Sequence, residues 1–371
     1  MVYKESGEES ESPHILSFYS LRNMSSSSSS RPAPTLDTLP FLPASLIINY
    51  LDIDSLYCLA DTARVFKEFI EDLKIRTDGY NISIRKGGYE MSLPAVNYTH
   101  YYSERDTDYL IDSMLQDYKD FMSLLPRNID FLRVDPNLNG HFHRFDQECT
   151  VLSIGGHPIE YYGQKMEDCS SKDLDVLLNS VNFRRGLALN GPKPLITENQ
   201  KIFDIDWLQI RNGTWITSEF LKKLKNKIVF LMDTDALTEE QFNQYLKDLK
   251  SGSIDNQNLQ VIGFSRGTLW NKAAILNGLD ATRGAVDQIY KVADFDKRIR
   301  AELFLPKVSS DGEIKIEESF DFTRDDGVKV SVEFSGKTVR IYIWNQNQEK
   351  KVTNKRGHPE DTNGPAAKKS C

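Results

Sequence analysis

Apolar residues along this chain switch between two periods. Short runs, Tyr80-Asn-Ile-Ser-Ile84, Ile129-Asp-Phe-Leu-Arg-Val134, Thr150-Val-Leu-Ser-Ile154, Gly186-Leu-Ala-Leu189, Asp206-Trp-Leu-Gln-Ile210, Ile228-Val-Phe-Leu231 and Leu259-Gln-Val-Ile262, predict strands. Between them, Asp108 to Leu125, Thr217 to Leu224 and Thr238 to Leu249 repeat at helical spacing. Strands alternating with helices favour a largely parallel sheet with covering helices. The spacing between strands is uneven, roughly 20 to 30 residues, so no regular solenoid period is established and a short, irregular leucine-rich-repeat-like stack stays open.

Two local signals are sharper. Thr238-Glu-Glu-Gln241 is a capping box, which starts a helix whose apolar side is Phe242, Tyr245, Leu246 and Leu249. Ser319-Phe-Asp-Phe-Thr-Arg324, a turn at Asp325-Asp-Gly327, alternating Val328, Val330, Val332 and Phe334, a turn at Ser335-Gly-Lys337, then Val339, Ile341 and Ile343 predict a three-stranded antiparallel meander with one apolar face.

From Leu36 to about Leu73 the helical period comes in short blocks, broken at Pro40, Pro43 and Asp52-Ile-Asp-Ser55. Leu46 and Tyr50 lie one turn apart, as do Ile47 and Leu51; Leu56, Leu59 and Ala60 follow a cap at Asp54 or Ser55; Phe66, Phe69 and Ile70 form a third block. Three helices this short expose more apolar surface than they can hide among themselves, so the bundle is expected to share its core with a partner.

The ends read differently. Residues 1–35, with the acidic stretch Glu5 to Glu11, the serine run Ser25 to Ser30 and Arg31-Pro-Ala-Pro34, and residues 346–371, polar and aperiodic, are expected to be disordered. The expected organisation is therefore a leader (1–35), a helical module (36–75), a connector with strands and one helix (76–150), a larger domain (151–345) and a tail.

Composition narrows the function classes. The 371 residues, 39% hydrophobic and 11% aromatic, suffice for two or three domains with real cores. A formal charge of -8 argues against nucleic acid as the main partner, since backbone binding depends on clustered Lys and Arg. Cys58, Cys149, Cys169 and Cys371 are scattered without a CxxC pair, which suits a reducing compartment. No apolar run approaches the ~20 residues of a membrane span, and acidic residues stand where a signal peptide is basic. A cytoplasmic or nuclear location is expected; Lys355-Arg356 and Lys368-Lys369 have the spacing of a weak two-part import signal, although solvated charge pairs explain them as well.

Signals of chemistry are few. Gly263-Phe-Ser265-Arg-Gly267 follows a strand as a hydrolase nucleophile elbow would, but the only later histidine is His358, so Ser265 lacks a base in the usual order. His141, His143, Cys149 and His157 match no structural zinc spacing. Asp233-Thr-Asp235 begins like a calcium loop, but Ala236, Leu237 and Gln244 break it. No catalytic residue, metal or cofactor is expected. Trp215, Trp270 and Tyr290 are candidate anchors for a bound protein, with core placement the favoured alternative.

Leu39-Pro40, Ile47, Tyr50-Leu51-Asp52, Leu56, Leu59, Arg64 and Phe66 resemble the F-box without a gap; Leu42 stands where that family often has an acid and Ala63 where it often has cysteine. Trp207-Leu-Gln-Ile210, Thr214-Trp-Ile-Thr-Ser-Glu-Phe-Leu-Lys-Lys-Leu224, Leu237 to Leu246 and Phe320-Asp-Phe-Thr-Arg-Asp-Asp-Gly327 resemble the F-box-associated domain type 2 expanded in nematodes, over about residues 150–345, with Leu246 to Gly252 replacing its usual Phe-Leu-Lys-x-Trp. The resemblance implies a three-helix F-box followed by an α/β domain closed by the meander, and a non-catalytic substrate receptor of a Skp-cullin-F-box ubiquitin ligase. It further implies that Leu39, Pro40, Leu46, Ile47, Tyr50, Leu51, Leu56, Leu59 and Phe66 bind a Skp-type adaptor and, through it, cullin, while an unnamed protein target occupies the larger domain. The alternatives are a scaffold using the F-box outside any ligase and a serine hydrolase at Ser265.

Overall fold

A computed structural model describes residues 48, 51, 53–62, 64–72, 79–93, 98–103, 106–125, 127–136, 138, 141, 145, 147–155, 169–191, 193–254, 258–296, 308–309 and 311–344. The chain divides into two compact units, 1–50 and 51–371. In the first, only Ile48 is described, a buried helical position. The expected leader, tail and first F-box helix otherwise lie outside the described residues.

In chain order the second unit contains α1 (Ile53–Thr62), α2 (Arg64–Asp72), β1 (Tyr80–Arg85), β2 (Gly88–Leu93), β3 (Tyr98–Ser103), α3 (Thr107–Leu124), β4 (Ile129–Val134), β5 (Glu148–Gly155), α4 (Ser171–Ser180), β6 (Asn182–Asn190), α5 (Lys201–Asp204), β7 (Trp207–Ile210) and α6 (Ser218–Lys222). It continues with β8 (Ile228–Leu231), α7 (Glu239–Ser251), β9 (Val261–Ser265), α8 (Lys272–Leu276), β10 (Thr282–Arg283), β11 (Gln288–Lys291), β12 (Glu313–Ile316), β13 (Ser319–Thr323), β14 (Lys329–Ser335) and β15 (Thr338–Ile343).

The fold is mixed α/β, built on one thirteen-stranded sheet ordered β10-β13-β14-β15-β9-β8-β7-β6-β5-β4-β1-β2-β3. β1, β4, β5, β6, β7, β8 and β9 all run parallel. Each takes the place beside its predecessor, and the order never reverses along this stretch. Right-handed crossovers that always step the same way put their connections on one face, as a solenoid does and a doubly wound sheet does not. The antiparallel meander β13-β14-β15 lies where the alternation predicts it and docks antiparallel on β9. At the other end β1 carries the antiparallel hairpins to β2 and β3. The sheet continues from β4 to β5, so the strands of the expected connector and those of the larger domain share one ladder.

Register gives the two faces different chemistry. One row runs Ile82, Leu132, Leu152, Leu187, Leu208, Val229, Ile262, Ile341, and two residues on comes Ile84, Val134, Ile154, Leu189, Ile210, Leu231, Phe264, Val339. All are buried. α3 and α7 cover this side: Tyr118 and Phe121 of α3 meet Tyr80, with Tyr118 edge-on at 5.4 Å, and Phe242 of α7 meets Phe264 edge-on at 4.7 Å. The capping box of α7 forms as predicted, Thr238 accepting from the Gln241 N–H and Gln241 accepting from the Thr238 N–H. Gly252 ends the helix at φ 69°, a left-handed value that a Cβ would oppose.

Candidate interaction surfaces

The helical pair comes first because the sequence predicts a partner there. Leu56, Ala60 and Ile70 turn inward, while Leu51, Leu59, Phe66 and Phe69 are half-buried and Val65 is 55% exposed. α2 also packs against α3, which ties the pair to the sheet. Of the expected adaptor contacts, Leu39, Pro40, Leu46, Ile47 and Tyr50 lie outside the described residues. Leu56 is covered within the chain, at 5% exposure, so Leu51, Leu59 and Phe66 are the described ones that keep apolar surface open.

The face of the sheet opposite α3 and α7 is the second surface. Its rows read Asn81, Phe131, Val151, Gly186, Trp207, Ile228, Val261, Tyr342 and Ser83, Arg133, Ser153, Ala188, Gln209, Phe230, Gly263, Arg340. Large apolar, small and polar side chains alternate where the other face is uniformly apolar. A strap formed by the β11–β12 hairpin lies over the first row: Tyr290, Val292, Val308, Ile314 and Ile316 join Phe131, Val151, Trp207, Ile228, Val261, Tyr342 and Trp344 in one buried cluster.

Polar contacts hold the strap in register. Tyr290 Oη lies 3.0 Å from the carbonyl oxygens of both Gln260 and Ile343, and the Ala293 N–H donates to Gln260 Oε1 at 2.9 Å. Arg185 reaches Asp296 at 3.4 Å and the Asp294 carbonyl at 3.3 Å. Beneath it, Glu333 accepts from Arg340 at 3.0 Å and from the Tyr342 hydroxyl at 2.8 Å, all three side chains being buried. Burial, and then the Glu333 charge, push the Tyr342 hydroxyl well above its ordinary pKa, so Tyr342 stays a donor. Farther along the face, Gln209 donates to Asn190 at 2.7 Å and Asn190 to Ser153 at 3.3 Å, a chain that satisfies three buried polar groups.

The Gly-x-Ser-x-Gly segment has structural work at each position. Gly263 lies under the Phe230 ring, where a Cβ would approach to 2.7 Å. The Ser265 carbonyl accepts from the Thr234 N–H at 2.9 Å and from its hydroxyl at 3.0 Å. Arg266 stacks over Trp270 at 3.8 Å and pairs with Glu239. The Gly267 N–H donates to Asp235 at 2.9 Å. Ser265 is the last residue of β9, is absent from the left-handed backbone positions, and α8 starts only at Lys272, unlike the strained strand-to-helix turn of a nucleophile elbow. Asp233-Thr-Asp235 thus latches two loops together.

The other polar candidates are dispersed. His141 pairs with Asp108 at 2.7 Å, Cys149 is buried on β5, and His143 and His157 lie outside the described residues. Among the described residues no three His, Cys, Asp or Glu groups converge as a metal site. Burial raises both thiols, that of Cys169 to about 11 with Asp173 and Asp135 adding to it. Trp270 and Tyr290 are core, whereas Trp215 is half-buried against Phe220 at 5.1 Å. Among the described residues no helix is long and apolar enough to cross a membrane.

No protein-family model, curated protein or solved structure matches the chain. The strap is the feature the sequence reading passes over. Gln288-Ile-Tyr-Lys291 and Glu313-Ile-Lys-Ile316 do alternate, but each is only four residues long and they lie far apart in the chain.

Proposed function

We propose that the chain is the substrate-recognition subunit of a Skp-cullin-F-box ubiquitin ligase, docking a Skp-type adaptor through residues 36–75 and a protein target through the sheet domain. What carries this reading is the ungapped F-box-like spacing from Leu39 to Phe66. Two short helices whose Leu59 and Phe66, with Leu51 just before them, keep apolar surface open support it. In this role the chain does no chemistry. It holds a target near a ubiquitin-loaded enzyme, so that a bimolecular transfer becomes effectively local.

The test is co-precipitation of adaptor and cullin with the wild-type chain and with a Leu39→Ala, Pro40→Ala, Leu51→Ala triple variant whose sheet domain is shown to fold. Capture of both by wild type and of neither by the variant is expected. Capture of adaptor without cullin would favour a scaffold outside the ligase, and capture of neither by wild type would remove the F-box assignment.

A further inference from the structure

The two outer strands of the sheet are finished differently. β10 has two residues, one of them Arg283, which pairs with Glu318 at 3.4 Å; a short, charged strand is a poor template for another chain. β3 has six residues, Tyr98-Thr-His-Tyr-Tyr-Ser103, with no charge and no proline. It pairs with β2 in unbroken register from Leu93↔Tyr98 to Gly88↔Ser103. Among the described residues nothing pairs with its outer side. A bulge-free edge of this length, without Lys, Arg, Asp or Glu, offers a row of backbone donors and acceptors to an incoming strand.

We propose that β3 binds an extended peptide as an added strand, and that this peptide alternates basic with apolar side chains. The pleat decides the alternation. On the helix side of β3, His100 lies 3.1 Å from Asp117 of α3. The Tyr89 hydroxyl donates to the same carboxylate. α3 and its cap carry five aspartates, Asp106, Asp108, Asp112, Asp117 and Asp120, and one lysine, Lys119, and Asp117 places this net-negative helix beside the helix side of β3, where a basic side chain on every second residue of an added strand is complementary. On the opposite side Thr99 and Tyr101 are exposed, Tyr101 at 68%, which gives the intervening residues an aromatic surface to cover. Pairing with a second copy of the chain would set this acidic helix beside its own duplicate, and like charges disfavour that occupant.

This inference stands apart from the adaptor reading, because the purified full chain suffices to test it. The probe is a fluorescein-labelled peptide of about eight residues alternating lysine with valine and threonine. Saturable anisotropy is expected, with slowed amide exchange confined to Tyr98–Ser103 and unchanged exchange at Thr282–Arg283. The same peptide N-methylated at alternate amides, and one with glutamate in place of lysine, should not bind. Tyr101→Lys, a change at an exposed position, should weaken binding about fivefold. No binding up to about 1 mM overturns the proposal. So does equal binding of the N-methylated peptide, or protection that spares β3. A chain that sediments as a dimer with β3 amides protected before peptide is added assigns the edge to a second copy and overturns it equally.

Discussion

The same strands present two unlike faces. On the helix side, neighbouring strands contribute matched apolar residues, from Ile82 to Ile341 and from Ile84 to Val339, and a single hydrophobic rule explains nearly every position. On the other side, Trp207, Gly186, Gln209, Phe230 and Arg340 share two rows, and each neighbour is matched by shape or hydrogen bonding instead. Burial alone determines the first face, while the second depends on the strap and on specific polar partners. The first should therefore respond to lost volume and the second to lost partners.

The largest effect is expected on the helix side. Phe264→Ala removes a fully buried ring that packs on Phe242 and should cost about 3–5 kcal/mol in urea denaturation. A loss under about 1 kcal/mol would show that the apolar rows are not a continuous core. On the other face, Glu333→Ala strands a buried guanidinium and should cost about 3 kcal/mol; a triple variant, Glu333→Leu with Arg340→Met and Tyr342→Phe, removes every polar member of the group and should recover most of it. Failure of the triple variant to recover would mean that volume governs this face too, and the contrast between the faces would disappear.

Smaller changes sharpen the comparison. Tyr290→Phe keeps the ring in its cluster and removes only the hydroxyl near Gln260 and Ile343, at about 1 kcal/mol. Amide exchange should quicken in β11 and β12 and stay unchanged in α7. The smallest effect is acid-dependent and sits on the loops beyond β8 and β9. The hydrogen bond from Arg266 holds the Glu239 carboxyl below the ordinary 4.5. Its stabilising contribution is complete above that value and fades as pH falls through the lower folded value. Trp270 fluorescence should report the loosening of this loop under acid, and Glu239→Gln should remove that step from the titration.

How far the sequence reveals the fold follows from the same contrast. Ile129–Val134 and Ile228–Leu231 are strands at the residues the apolar runs predict, and the meander and the capping box also form where expected, because burial and local caps leave a mark on few residues. β2 and β3 carry four tyrosines and only two aliphatic or thioether residues, Met91 and Leu93, and their pairing partners rather than their own apolar content make them strands. α4, with Leu174, Leu177 and Leu178 within ten residues and an N-cap at Ser170, carries a helical signal that lies outside the expected elements. The strap is least legible, because Tyr290 and Ile314 acquire their role only against Trp207 and Tyr342, which are distant in the chain. Of the candidate interaction surfaces, the helical pair is legible as an apolar excess, whereas an open sheet edge is defined only once every other described strand is placed.

The order of the parallel strands also bears on how the molecule forms. From β4 to β9 each strand pairs with the one synthesised just before it, so the ladder can lengthen behind the ribosome through short-range encounters alone. The meander breaks that rule, since Thr338 must return to Ser265 before β9 has its second neighbour. Until then the nascent chain presents β9 as a temporary open end, which β15, the last strand synthesised, closes.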